Sequence, residues 1–247
     1  MRHGLSVLSL VSLTTMAQAG EVQVAVAANF AAPLAQIAQA FTAASGHVLK
    51  VSSGSTGKFH TQIVNGAPFE VLLAADDETP KKLLASGHAV AGSHFTYAIG
   101  RLVLWSAKPG FVDAQGAVLA SDKVRHVAVA NPKTAPYGAA AVQFMQARGL
   151  AEVLKPKLVT GESIAQTFQF AATGNAEVGL VALSQVVVPG KPAVGSYWLV
   201  PQNLHSEIRQ DAVLLKTGEK NPAARALIDF LKSEAARQVI RSFGYGP

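Results

Sequence analysis

The apolar positions of this chain follow two periods in turn. Glu21 to Ala28 (EVQVAVAA) is a Val/Ala run with the continuity of a buried strand. Leu34, Ile37, Ala38 and Phe41 then recur at i, i+3, i+4 and i+7. That is the stripe of an amphipathic helix, with Pro33 suited to its first turn and Gly46 near its end. Val48–Val51 reads as a second strand, followed by a helix through Phe59, Ile63 and Val64 to Gly66. Phe69 to Ala75 (FEVLLAA) is a third strand, with Asp76-Asp77 at its end and a helix through Leu83 and Leu84 to Gly87. Three β-α units joined by short links predict a parallel, doubly wound sheet, whose ligands bind outside the carboxyl ends of the strands.

The rhythm changes at Phe95. Phe95 to Trp105 (FTYAIGRLVLW) predicts one long β run with no helix after it. A second α/β unit follows: a strand at Val127–Ala130, a helix starting near Tyr137 and another through Leu150 and Leu154. It continues with a short strand around Leu158-Val159, a helix from Ser163 through Phe168 and a strand at Val178–Leu183. Residues 196–200 and 208–216 are β-like, and Asn221-Pro222 opens a closing helix with Ala226, Leu227, Phe230 and Leu231 on one face. The expectation is an α/β fold of two lobes, each a doubly wound, mostly parallel sheet with helices on both faces. Residues 20–97 with 211–247 would form the first lobe and 98–210 the second, with a hinged ligand cleft between them.

The first twenty residues stand outside this pattern. Arg2 precedes an apolar run from Leu5 to Leu13, and Ala17-Gln18-Ala19 has the small-x-small form of a signal peptidase site. The run is too short to span a bilayer, and no later segment reaches the roughly 18 to 20 apolar residues that a span requires. Residues 1–19 therefore read as a cleavable signal peptide. Its removal takes Arg2 and no acidic residue, so the formal charge falls from +6 to +5. The chain contains no cysteine, which excludes a disulfide scaffold, thiol chemistry, thiolate metal sites and a lipid-anchored cysteine. The excess of basic residues sits in isolated pairs such as Lys81-Lys82 and Lys155-Pro156-Lys157, without aromatic interleaving. Nucleic acid is not the expected partner.

The chemistry concentrates where strands hand over to helices. Ser52-Ser53-Gly54-Ser55-Thr56-Gly57-Lys58 follows the second strand and opens the second helix. Its spacing fails the nucleotide P-loop, which would need glycine at Ser52 and Ser or Thr at Phe59. Unpartnered first-turn N–H groups and the positive helix end suit an anion there, although a capped turn would look the same. Asn131 to Gly138 and Glu162-Ser163-Ile164 offer similar helix starts in the second unit. Taken singly, Asn29 and Ser163 could be ordinary caps, Tyr137 a loop aromatic, and Lys58 a surface residue with its amine in water.

Enzyme readings find less support. Gly54 to Gly57 lacks the spacing of a nucleophile elbow, and the seven histidines show no H-E-x-x-H pattern. Asp76 and Asp77 could be an acid/base or metal pair, or could compensate a helix dipole.

Together these motifs resemble the periplasmic molybdate-binding proteins that serve ABC importers, within the type II periplasmic substrate-binding proteins. The resemblance rests on Ala27-Ala28-Asn29-Phe30, residues 52–58, Gly66-Ala67-Pro68, Ala74-Ala75-Asp76 and Thr96 to Trp105. It rests also on Asn131-Pro132 to Tyr137-Gly138, Glu162-Ser163-Ile164 and Ser242-Phe243-Gly244-Tyr245. It implies a periplasmic, non-enzymatic, monomeric receptor without a cofactor or free metal ion, which delivers molybdate or tungstate to a membrane permease. It implies an oxyanion site of Ala28, Asn29, Ser55 and Thr56, with the Tyr137 hydroxyl and the Ile164 N–H from the second lobe. One departure is that the tyrosine some members carry in the segment Val181-Ala182-Leu183-Ser184 is missing here. Another tetrahedral oxyanion such as sulfate, and a secreted hydrolase using Ser55 or Asp76/Asp77, stay as alternatives. Hydrogen phosphate would need a carboxylate acceptor, and among the candidate anion sites Glu162 alone could supply one.

Overall fold

Val22, Val24 and Val26 point to one face of a sheet and Ala25 to the other, so a single strand feeds two cores. In the computed structural model, which describes residues 19–246, this is the central design of the first lobe. The signal-peptide reading, Ala19 apart, falls outside the described residues. The strands are β1 (Glu21–Ala27), β2 (Val48–Gly54), β3 (Val71–Leu73), β4 (Phe95–Gly100), β5 (Leu102–Ser106), β6 (Val127–Ala130), β7 (Leu158–Gly161), β8 (Val178–Ala182), β9 (Ser196–Leu199) and β10 (Ile208–Leu214). The helices are α1 (Ala31–Ser45), α2 (Thr56–Val64), α3 (Glu78–Ala85), α4 (Pro136–Ala147), α5 (Ala151–Leu154), α6 (Ile164–Ala172), α7 (Leu183–Val186), α8 (Pro222–Leu231) and α9 (Glu234–Ser242).

Among the described residues the strands form two five-stranded sheets, in the orders β2-β1-β3-β10-β4 and β7-β6-β8-β5-β9. Each has a parallel trio, with one antiparallel strand inserted before the last: β10 in the first sheet and β5 in the second. Those inserted strands are the ones that arrive from the other lobe. The first sheet carries Leu34, Ile37, Phe41, Leu227 and Leu231 on one face and Phe59, Ile63 and Leu83 on the other. In the second, Ala140, Ala141 and Phe144 of α4 cover the Leu102/Leu104 face, and the Trp105 ring stacks on Phe168 at 4.6 Å on the opposite face. Both sheets are therefore doubly wound, as the alternation of strand and helix patterns anticipates.

The run expected as one long strand, Phe95 to Trp105, is two strands in different sheets. β4 ends at Gly100, β5 begins at Leu102, and Arg101 is the crossing. Gly100 stands where it does because a methyl group there would fall on the Tyr137 hydroxyl and 2.9 Å from Gln210 Nε2. Sheet membership changes at Gly100/Leu102 and at Leu199/Ile208, not at the 97/98 and 210/211 boundaries expected from the sequence. Ala98 to Gly100 and Ile208 to Gln210 pair with each other, which keeps them in the first sheet. No described helix is long and apolar enough to cross a membrane.

Candidate functional site

Four strand ends converge between the two sheets. β1 runs into one turn of 3-10 helix at Ala28–Phe30, and β2 into α2 through Ser55. From the second lobe, β6 runs into α4 through residues 131–135, and β7 into α6 through Glu162-Ser163. A helix start leaves its first N–H groups without intrahelical partners and carries the positive end of the dipole. Four such starts from two lobes make a region rich in donors and poor in acceptors.

The two serines at these starts behave differently. Ser163 accepts a bond from the Gln166 N–H at 3.4 Å and so caps α6 in the ordinary way. Ser55 occupies the cap position of α2 in extended geometry, but its side chain makes no capping bond. Its hydroxyl is thus not spent on its own helix. α4 begins with Pro136, which has no N–H to lose, and Gly138 lies so close to the end of β6 that a side chain there would fall on the Ala130 carbonyl. This close approach sets Tyr137 facing the first lobe.

Ala28, Asn29, Ser55, Thr56, Tyr137 and Ile164 line one small cavity, together with Ala27, Gly54, Ala75, Ala135 and Pro136. Its volume of about 10 Å³ is on the scale of a single water-sized sphere. An extended ligand does not fit such a space. Ser55 is 4% exposed and Tyr137 1%, and neither hydroxyl has a hydrogen-bond partner among the described residues. The Arg101 amide approaches the Tyr137 oxygen without reaching hydrogen-bonding geometry. A buried hydroxyl left without a partner costs roughly 1–3 kcal/mol. Two of them, one from each lobe, at one cavity describe a site shaped for an acceptor. Burial, followed by the nearby Tyr245, pushes the Tyr137 phenol well above its ordinary range, so it stays a neutral donor.

The other polar atoms are accounted for. Thr56 Oγ1 accepts from the Ala75 N–H at 3.0 Å, which leaves the hydroxyl hydrogen to donate. The Asn29 amide donates to Gln210 Oε1 at 2.6 Å and to the Tyr245 hydroxyl at 2.9 Å. Both of its hydrogens are used away from the cavity, so the donor Asn29 has left for a ligand is its backbone N–H. Glu162 does not line the cavity. Its carboxylate turns outward to Lys58 Nζ, 2.7 Å away across the cleft.

Asp76 and Asp77 lie outside the cavity, along a larger interlobe groove of about 550 Å³ shared with Lys82 and Lys133. Asp76 accepts from the Thr79 N–H at 2.7 Å and the Thr79 hydroxyl at 3.3 Å, and Asp77 pairs with Lys81 at 2.5 Å. These are the contacts of a helix start. The described residues contain no group of three or more His, Asp or Glu placed to hold a metal ion. The cavity lining holds no histidine and no carboxylate, so Ser55 has no base within it.

The lobes touch around the cavity. Gly57 N–H donates to the Thr134 carbonyl at 2.9 Å, and a side chain at Gly57 would press on the Thr134 backbone at 3.0 Å. The Ser184 hydroxyl donates to the Asn29 carbonyl at 2.8 Å. Sequence reasoning did not find Gln210, Ser184 or Gly100 as supports of the site. The only advance signals were the terminal motif holding Tyr245 and the strand-end motif holding Ser184.

Comparisons with known proteins identify the family of the chain. Residues 22–246 match the model of the bacterial extracellular solute-binding protein family. The chain is 61% identical over 234 residues to a molybdate-binding protein ModA of Azotobacter vinelandii, covering 95% of this chain and 93% of the relative. It is 56% identical over 246 residues to the molybdate-binding protein ModA of Rhodobacter capsulatus, covering 99% and 96%. Its structure matches that of an Azotobacter vinelandii periplasmic molybdate-binding protein with a TM-score of 0.89 and 42% identity, covering 92% of this chain and 99% of that one. The donor-lined cavity between two doubly wound lobes is thus carried by a chain that belongs to the bacterial extracellular solute-binding protein family.

Proposed function

We propose that this chain is a periplasmic receptor that closes its two lobes over molybdate, or its congener tungstate, and delivers the oxyanion to the permease of an ABC importer. The observation that carries the proposal is the pair of buried, unpartnered hydroxyls, Ser55 from the first lobe and Tyr137 from the second, at one cavity lined by no carboxylate. A fully deprotonated tetrahedral oxyanion presents only acceptors, and such a lining offers it donors. In this reading Ser55, Thr56 and Tyr137 donate through hydroxyls, and Ala28, Asn29 and Ile164 through N–H groups at helix starts. Hydrogen phosphate carries a proton that needs an acceptor, and Glu162, the carboxylate beside the Ile164 helix start, is paired with Lys58.

The relatives support the same ligand class, because those with more than half of their residues identical are named for molybdate. Binding alone, with no covalent step, gives the unpartnered Ser55 and Tyr137 hydroxyls an acceptor. The protein acts as a monomer that is exported and then released by signal peptidase after Ala19. Calorimetric titration with molybdate, tungstate, sulfate and phosphate tests the reading. Heat with molybdate and a rise in melting temperature set by ligand concentration are expected. No heat with any of the four anions would overturn it.

A further inference from the structure

Beneath the cavity lies a closed ring of hydrogen bonds that begins and ends on one residue. The Asn29 amide donates to the Tyr245 hydroxyl at 2.9 Å, and Tyr245 donates to Ser184 Oγ at 3.0 Å. Ser184 donates to the Asn29 carbonyl at 2.8 Å, a group the Tyr245 oxygen also approaches at 2.9 Å. Each hydroxyl has one hydrogen, so this direction of travel satisfies every member of the ring. Asn29, Tyr245 and Ser184 are all at least nine-tenths buried.

The ring joins parts that the lobes' motion would separate. Tyr245 belongs to the core of the first lobe, its ring edge-on to Phe30 at 5.6 Å, and Gly246 bonds Ile99 in both directions at 2.8 and 3.2 Å. Ser184 belongs to the second lobe, at the start of α7. The neighbouring Leu183 packs so tightly on Gly244 that a side chain there would fall 2.8 Å from Leu183 Cδ2, while the φ of +82° at Gly244 turns the tail inward. Both bonds made by Ser184 cross from lobe to lobe, whereas the bonds between Tyr245 and Asn29 stay within the first.

We propose that Tyr245 and Ser184 form a hinge-side clasp, made only while the lobes are together, that holds the Asn29 turn at the cavity and slows release of the bound anion. The proposal rests on the oxyanion-receptor reading for its ligand, and gives Tyr245 and Ser184 the role of positioning residues that act through Asn29.

Two measurements on the full chain test it, with the variants Tyr245→Phe, Ser184→Ala and their combination. In stopped-flow experiments with sodium molybdate, each single variant should raise the off-rate roughly three- to tenfold, the span of one neutral hydrogen bond, and leave the on-rate unchanged within twofold. The double variant should fall clearly short of the product of the two, because both remove the same link. Equal off-rates with a lowered melting temperature of the ligand-free protein would mean ordinary packing and overturn the clasp. So would a multiplicative double variant.

The second measurement needs no ligand. The chain has no cysteine, so Gln62→Cys on the first lobe and Gln146→Cys on the second can each carry a spin label. The clasp predicts a smaller short-distance population in the ligand-free variants than in the parent, and an unchanged distance distribution contradicts it. Were the parent to bind no oxyanion, the receptor reading would fail while this distance measurement still decided the clasp.

Discussion

Lys58 Nζ lies 2.7 Å from Glu162 Oε2, the one joining the first turn of α2 in the first lobe and the other preceding α6 in the second. The pair spans the mouth of the cleft, yet its side chains are 49% and 60% exposed. Exposed pairs contribute about 0.2–1 kcal/mol and are screened by salt. Lys58→Ala is therefore expected to weaken anion binding no more than about fivefold, with the difference shrinking as salt is raised. Titrations at low and high ionic strength check this, and a loss as large as that of a cavity hydroxyl would make Lys58 a direct ligand.

Tyr137→Phe should act in two opposite directions. Losing a donor to a charged acceptor costs about 1.5–3 kcal/mol, so molybdate affinity should fall by ten- to a hundredfold or slightly more. In the ligand-free protein the same change removes a buried hydroxyl that has no partner, so stability should hold or rise. Calorimetry and urea denaturation of one preparation give both signs. A hydroxyl serving the fold would make both fall together.

Gly100→Ala is expected to damage the site through geometry. The added methyl would fall on the Tyr137 hydroxyl and 2.9 Å from Gln210 Nε2, the residue that fixes the Asn29 amide. Overpacking of this kind costs about 1–3 kcal/mol. Lower stability and weaker molybdate binding should appear together, in contrast to Tyr137→Phe.

Two carboxylates should titrate with opposite effects on stability. Burial raises Asp76 above the ordinary aspartate range, partly offset by its bonds from Thr79. A raised folded-state value means that the folded protein holds the proton more tightly, so this contribution is present at acid pH and lost as pH rises through the titration of Asp76. The N–H groups of Ala117, Val118 and Gln115 lower Asp113, so its contribution is present above the ordinary range and lost as pH falls through its own lower value. Relative to the parent, Asp76→Asn should gain stability from acid to neutral pH, and Asp113→Asn should lose it. Denaturant midpoints across that range give the two slopes.

The sequence exposed most of the fold because local periodicity decided it. The α1 stripe, the β1 run and the glycine at Gly46, which closes α1 at a φ of +74°, are all short-range signals. Six of the eleven residues that line the cavity were readable because each sits at a strand-to-helix turn with its own local chemistry. What stayed hidden depends on distant partners. Nothing near Asn29 tells that its amide turns away from the cavity, because Gln210 and Tyr245 lie 181 and 216 residues further on. The break within Phe95 to Trp105 was hidden for the same reason. The apolar pattern runs through it, and the constraint on Gly100 comes from Tyr137 in the other lobe.

The most direct test of the central claim is a crystal structure of the protein with molybdate, located by the anomalous signal of molybdenum. The account predicts one peak between the lobes, with its oxygens within hydrogen-bonding distance of Ser55 Oγ, the Tyr137 hydroxyl and the backbone N–H groups of Asn29 and Ile164. A peak in the neighbouring groove against Lys82 and Lys133, with Ser55 and Tyr137 still unpartnered, would contradict it.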